Sequence, residues 1–299
     1  MKKVDIGTCS WKYPSWKGII YSESKHINYL HEYAQHFSTV EIDQWFWSLF
    51  GEETVKLPER ETAEEYRGSV PEDFSFSVKV PNSITLTHFY KKKKTDPLAA
   101  NPYFMSDKLF FDFYNTLGPL QDRVAAYIMQ FEYLNKQKID GVKSFLNALK
   151  LFKSKVDRLV PGLSLAVETR NKNYLGEAYF SFLQENSFIP VFVQGYWMPP
   201  VWQLYDKYKA YLRNRAVIRL MGPDRGDIKK KTGKKWNTVV EPRDDELEQI
   251  ARMIVDMQRN NISVLVNINN HYEGSAPLTI ERLEERIEQS RIEKSKIKK

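Results

Sequence analysis

At 299 residues, 42% of them hydrophobic, the chain can bury a large core, and that length fits either one long α/β barrel or two ordinary domains. No apolar run approaches the roughly 20 residues that span a bilayer, and MKKVDIGTCSW has neither a secretory apolar core nor a cleavage pattern, so no membrane association and a cytoplasmic location are expected. Cys9 is the single cysteine, which excludes an internal disulfide and a cysteine-based metal cluster, while the formal charge of +7 comes from Lys91 to Lys94 and from Tyr205 to Trp236, where eleven Lys and Arg outnumber three Asp.

The first strand, Val4 to Cys9, runs into SWKYPSWKG, where Pro14 and Gly18 break regular structure and Trp11, Tyr13 and Trp16 crowd together. Aromatics on such a loop either stack on a sugar or base or pack as a lid, and the lid suits Trp16 better than Trp11. Asn28 to Phe37 repeats apolar residues at helical spacing and leads to a second strand, STVEIDQWFW, whose alternation turns Thr39, Glu41 and Asp43 inward. An inward carboxylate needs a partner whether its role is structural or chemical. Thr54 to Arg67 reads as a helix that Pro58 kinks or starts. FSFSVKVP then turns Ser75, Ser77 and Lys79 inward, and the connection from Pro81 to Ser106, with His88 and the lysine block, is long enough to cap the strand ends.

Asp107 to Leu117 is the next helix, and Arg123 to Phe131 is the fourth strand with Gln130 in the inward register. Gly141 to Lys153 is amphipathic, and LSLAVETR turns Glu168 and Arg170 inward. Tyr174 to Asn186 reads as helix, Ile189 to Gln194 as strand and Tyr205 to Arg213 as helix; AVIRLM, Ala216 to Met221, is the seventh strand with Arg219 inward. A lysine-rich excursion, Gly222 to Glu241, separates it from a helix over Arg243 to Asn260 with Leu247, Ile250, Ile254 and Met257 along one side. In the closing strand ISVLVNINNH, Ile262 to His271, Val264, Val266 and Ile268 share one face and Asn267, Asn269 and His271 the other. Leu278 to Gln289 is the last helix. Eight strands, each followed by a helix, predict one (β/α)8 TIM-type barrel with long mouth loops over residues 1–290, and a basic tail, 291–299, that frays. An open doubly wound sheet is disfavoured because neither GxGxxG nor GxxxxGK[ST] follows any strand.

IGTCSW with its YPSW, then YAQHFSTVEID, FSVKVPNSITLTH, AVETR, VIRLMG and NNHYEGSAP in this order resemble the YecE-like family, catalogued as domain of unknown function 72, over nearly the whole chain. The resemblance implies a TIM-type barrel and brings no established activity, cofactor or substrate. Asp43 stands where asparagine is common in the family, Thr169 stands where an aromatic is common, and IMQFEYLN lacks the prolines that usually follow it. These departures bear on the shape of a pocket more than on its polar positions.

The inward tips Glu41, Lys79, Gln130, Glu168, Arg170, Gln194, Arg219, Asn269 and His271 gather at the C-terminal strand ends, where barrel enzymes carry their catalytic groups. The bland alternative is a buried ion-pair network that fills the barrel. The favoured reading is an acid/base enzyme, of hydrolase or lyase type, acting on a small anionic molecule, in one version phosphate-bearing. Lys79, Arg170 and Arg219 would hold the anion, Trp11, His88, Gln130, Asn269 and Asn270 would supply further contacts, and Glu41, Glu168 or His271 would move a proton. On this reading Arg219→Ala weakens ligand binding far more than stability. No cofactor is expected. One divalent metal on Glu41, Glu168 and His271 is the less favoured version, because His271 is the only strand-tip histidine among five. Two further classes stay open: nucleic acid, gripped by the lysine loops with Trp11, Trp45 or Trp47 stacking on a base, and glycoside hydrolysis by two glutamates beneath aromatics. Cys9 as a nucleophile served by His271 ranks below a small buried cysteine. The oligomeric state is left open.

Overall fold

Alternating strands and helices produce a closed barrel of eight parallel strands in chain order, seen in a computed structural model that describes residues 2–49, 54–91, 93 and 95–296. The elements begin β1 (Val4–Thr8), α1 (Tyr29–Tyr33), β2 (Thr39–Ile42), α2 (Arg60–Gly68), β3 (Ser75–Lys79), α3 (Asn82–Thr85), α4 (Asp107–Thr116) and β4 (Val124–Gln130). They continue with α5 (Gly141–Leu159), β5 (Leu165–Glu168), α6 (Glu177–Glu185), β6 (Ile189–Gly195), α7 (Val201–Tyr208) and β7 (Arg215–Gly222). The last are α8 (Arg225–Thr232), α9 (Asp244–Arg259), β8 (Ser263–Ile268) and α10 (Ala276–Lys296). The expected TIM-type barrel is therefore the fold. Every residue of β2 and β5 is buried, as parallel strands are when helices cover one face and a packed interior the other.

Local chemistry fixes the helix ends. Asn28 accepts from the amides of Leu30 and His31 at the start of α1, and the Ser106 hydroxyl accepts from the Leu109 amide at 3.1 Å to start α4. α9 opens on Asp244, Asp245 and Glu246 and closes on Arg259, the charge order its dipole favours. Its face of Leu247, Ile250, Ile254 and Met257 is buried, as the spacing predicts.

The boundaries differ from the sequence reading where a side chain intervenes. Pro58 lies ahead of α2, so the proline precedes the helix and kinks nothing. α7 begins at Val201, directly after Pro200, earlier than the spacing from Tyr205 predicts. The excursion over 222–241 contains α8, capped by Asp224 and closed by Gly233 in the left-handed conformation at φ 57°. The connection over 81–106 contains α3 and a bridge between His88 and Ala100; Lys92 and Lys94 lie outside the described residues. α10 runs on through Lys296, so the segment expected to fray from residue 291 is helical to that point, and 297–299 lie outside the described residues.

The chain divides into two compact units, Met1–Glu41 with Pro71–Phe74 and Pro190–Lys299, and Ile42–Val70 with Ser75–Ile189. In the first, β8 lies between its neighbours in register, with Gly7 of β1 and Arg219 of β7 both opposite Asn267. β1 meets β2 at one register pair, Thr8 with Val40. There a Cβ on Gly7 would sit 2.0 Å from the Thr39 carbonyl oxygen, so only glycine lets the two backbones approach. The Tyr33 hydroxyl of α1 accepts from the Thr8 amide at 2.9 Å and donates to the Thr39 carbonyl at 3.0 Å. In the second unit β3 pairs with β4 through a register shift between Phe76 and Ser77, in register from Ser77 with Ala126 onward, and β4 with β5 to Gln130 with Glu168. Phe110 meets Phe152 edge to face at 5.5 Å, and Phe131 meets Phe145 at 4.9 Å.

Candidate functional site

Period-two alternation turns Glu41 of β2, Arg219 of β7 and Asn267 of β8 into the barrel, and in the first unit these side chains meet. Arg219 donates from Nε to one Glu41 oxygen at 2.8 Å and from Nη2 to the other at 2.6 Å, the two-point geometry that suits a guanidinium and a carboxylate. Asn267 adds a third donor at 3.1 Å. Glu41 is 0% and Arg219 1% exposed, so this pair is a buried one whose carboxylate is compensated by two neighbouring strands. The Cys9 sulfur lies 4.0 Å from the same guanidinium, and Ser10, the next residue, has φ 118°, a strained conformation for a side chain with a Cβ.

His271 lies beyond the strand. β8 ends at Ile268 because the asparagines after it satisfy the backbone locally: Asn269 Oδ1 accepts from the His271 amide at 2.9 Å, and Asn270 Oδ1 accepts from the Ala276 amide at 2.8 Å to begin α10. Asn269 and Asn270 thus shape the turn that carries His271. Its ring packs edge-on against Trp236 at 5.0 Å; Trp236 is held by its amide on Ser15, and the buried His271 Nδ1 has no hydrogen-bond partner among the described residues. Burial, and then the charges of Arg225 and Lys229 on α8, bring the His271 pKa down to about 4 from an ordinary 6.5, so the imidazole is neutral at pH 7.

This depression has a sign for stability. Between pH 6.5 and 4 the unfolded chain takes up the proton that the folded chain refuses, so stability falls as the pH drops through that window. The expected loss is on the order of 2 kcal/mol, discounted for the ring's partial solvent access. Urea midpoints at pH 7 and pH 4.5 check it: His271→Gln should lose a distinctly smaller share of its stability on acidification, and identical pH slopes would mean that His271 titrates normally.

In the second unit the fully buried Glu168 is paired with Arg170 at 2.6 Å. Lys79, 8% exposed, lies over the Phe46 ring with Nζ 3.9 Å from its centroid. Gln130, opposite Glu168 in register, is half-buried. His88 Nδ1 is 3.0 Å from the Thr87 hydroxyl. Trp45 is buried and stacked on Tyr66 at 5.6 Å, which leaves no open face of the kind a base needs, whereas Trp47 is exposed.

One expected inward tip lies elsewhere. Gln194 does not turn into the barrel interior as an inward tip: its Nε2 donates to Glu246 of α9 at 2.9 Å and its Oε1 accepts from the Val201 amide of α7 at 3.1 Å, next to the register shift between Gln194 and Gly195. Trp11 is buried, its carbonyl taken by the Tyr21 hydroxyl. Among the described residues no three His, Cys, Asp or Glu side chains gather as a metal-ligand set, and no helix there is long and apolar enough to cross a membrane. Sequence reasoning put Asn267 on the polar face of the closing strand but left it out of the site, and it passed over Trp236, Arg225 and Lys229. Asn267 had a signal in its place on the polar face of the closing strand, opposite Arg219 in register; for α8 the signal was the pair of caps, Asp224 and Gly233.

The model of the family described as "Protein of unknown function DUF72" matches residues 5–299. The chain belongs to the DUF72 family. A solved DUF72 structure from Enterococcus faecalis V583 is 19% identical, with 95% of each chain covered and a TM-score of 0.65. Another from Thermotoga maritima MSB8 is 21% identical, covering 96% of this chain and 98% of that one, with a TM-score of 0.62. A glycoside hydrolase structure aligns at 10% identity and a TM-score of 0.50, over 96% of this chain and 99% of that one; at such identity the likeness is one of fold alone. No curated protein matches the chain. Membership of DUF72 agrees with the resemblance carried by the six motifs, and it brings the barrel without a reaction.

Proposed function

We propose that this DUF72 protein is an acid/base enzyme acting on a small anionic molecule at the ends of β7 and β8, with His271 as the group that exchanges the proton. The observation that supports this is the state of His271: a half-buried ring kept neutral by burial and by Arg225 and Lys229, with a buried Nδ1 left without a partner. A base this weak does little until the cationic field around it is relieved. A bound anion offsets the charges of Arg225 and Lys229, the smaller causes of the depression after burial, and so raises the imidazole pKa in the direction that favours proton transfer. Glu41 and Arg219 then act as the rigid floor of the site, since each already holds the other.

The test is a panel of anionic metabolites incubated with the purified protein and followed by mass spectrometry. A converted compound should lose about 100-fold or more in kcat with His271→Gln, with the far-ultraviolet circular dichroism unchanged. Undiminished turnover in that variant would end the assignment. Nucleic acid is the second reading, favoured by the lysine run of α8 and by Trp197, which is 83% exposed. An affinity for single strands that falls steeply with salt would support it.

A further inference from the structure

The position of α8 is fixed at both ends against the turn that carries His271. Ahead of the helix, Gly222 at φ 75° packs so closely that a Cβ there would sit 2.2 Å from the His271 carbonyl oxygen. Beyond the helix, Trp236 lies edge-on to the His271 ring. Arg225 and Lys229, four residues apart, share one helix face between these points, and both act on His271 electrostatically. Like charges crowd here: Arg225 and Lys234 lower the pKa of Lys229.

The carboxylates of the segment are engaged elsewhere. Asp224 Oδ1 accepts from the amides of Gly226 at 2.6 Å and Asp227 at 3.1 Å. Asp227 and Glu241 both hold Lys231, at 2.7 Å and 3.0 Å. Neither Arg225 nor Lys229 forms an ion pair among the described residues. Because Asp224 already covers the first amides of α8, recognition of an anion falls to side chains here and not to the helix terminus.

We infer that Arg225, Lys229 and the His271 ring form a subsite for a phosphate group, so that the anionic substrate class is a phosphomonoester. This rests on the reading of His271 given above and names the ligand chemistry for it. A guanidinium fork and an ammonium one helical turn apart meet two edges of a tetrahedral dianion, and a neutral ring N–H can meet a third.

Inorganic phosphate titrated into the full-length protein, with the His271 ring resonances followed by NMR, tests the subsite. A saturable shift is expected, weakened about 10-fold or more by Arg225→Gln with Lys229→Gln. Lys230→Gln with Lys235→Gln, which removes the same formal charge, should change the affinity less than about twofold. Equal weakening by both pairs would reduce the effect to diffuse charge and overturn the subsite. A shift of His271 by a carboxylate but not by phosphate would overturn the phosphate class and leave the proposed function standing. No shift by any anion, with full turnover in His271→Gln, would overturn both.

Discussion

Arg219→Ala should destabilise the protein by about 3–5 kcal/mol, the loss seen when one member of a buried ion pair is removed. Glu41 would keep a single donor, Asn267 at 3.1 Å, in a place with no access to water. The expectation drawn from sequence was that Arg219→Ala weakens ligand binding far more than stability; the buried pair predicts a large effect on stability. The size of that effect follows from geometry: both guanidinium contacts face the carboxylate, and the residue is 1% exposed. Arg219→Lys keeps a charge but forfeits the two-point fit, and should fall between, at about 2 kcal/mol. Pairing Arg219→Met with Glu41→Leu should regain most of the stability, because an apolar pair of similar volume leaves no charge stranded. Urea denaturation of the three variants checks the series. A loss below about 1 kcal/mol for Arg219→Ala would show that Glu41 finds other compensation and restore the ligand-arm reading.

Gly222→Ala is expected to be nearly as harmful, and to act on the site as well as on the fold. Its left-handed backbone at φ 75° strains any residue with a Cβ, and the added carbon would overlap the His271 carbonyl. Strain and overlap together should cost about 3 kcal/mol. The turn must yield, drawing His271 away from Trp236 and from α8, so the ring's pKa should climb from about 4 toward 6.5. Gly141→Ala is the matched control: φ is 74° there too, yet a Cβ meets nothing within 4 Å, and only the backbone part of the effect, about 1 kcal/mol, should remain. NMR titration of His271 reads the first result and thermal denaturation the second. An unmoved pKa in Gly222→Ala would show that β7 and not the turn gives way.

What the sequence made legible was whatever repeats locally. Alternation over STVEIDQWFW, AVIRLM and ISVLVNINNH put Glu41, Arg219 and Asn267 on inward faces, and the structure has them there. That Glu41 pairs with Arg219 was not legible, since 178 residues separate them and their meeting depends on barrel closure. His271 was readable as a polar position at the end of β8 but not as a turn residue, because asparagine side chains can replace ladder bonds without altering the pattern of hydrophobicity. α8 escaped for a different reason. It buries one apolar side chain, Ile228, so it has no stripe to detect and declares itself only through its caps. Trp236 gave no signal at all: a lone tryptophan in a lysine-rich stretch has no periodic partner.

The phenol of Tyr33 joins β1 and β2 through a short chain of hydrogen bonds. The Thr8 amide can only donate, so the Tyr33 oxygen accepts from it. The Thr39 carbonyl can only accept, so the phenolic proton goes there. The Thr8 hydroxyl then directs its own proton to the Ser10 carbonyl at 2.6 Å, where φ departs from ordinary values. The same Thr8 hydroxyl lies 3.0 Å from the Tyr33 oxygen, which links the phenol to this end of the seam. Two strands that share a single register pair are joined by the orientation of a helix side chain, and the strained residue beside Cys9 is held by the far end of the same relay. Phenylalanine at position 33 would fill the same volume but leave the relay without its central atom.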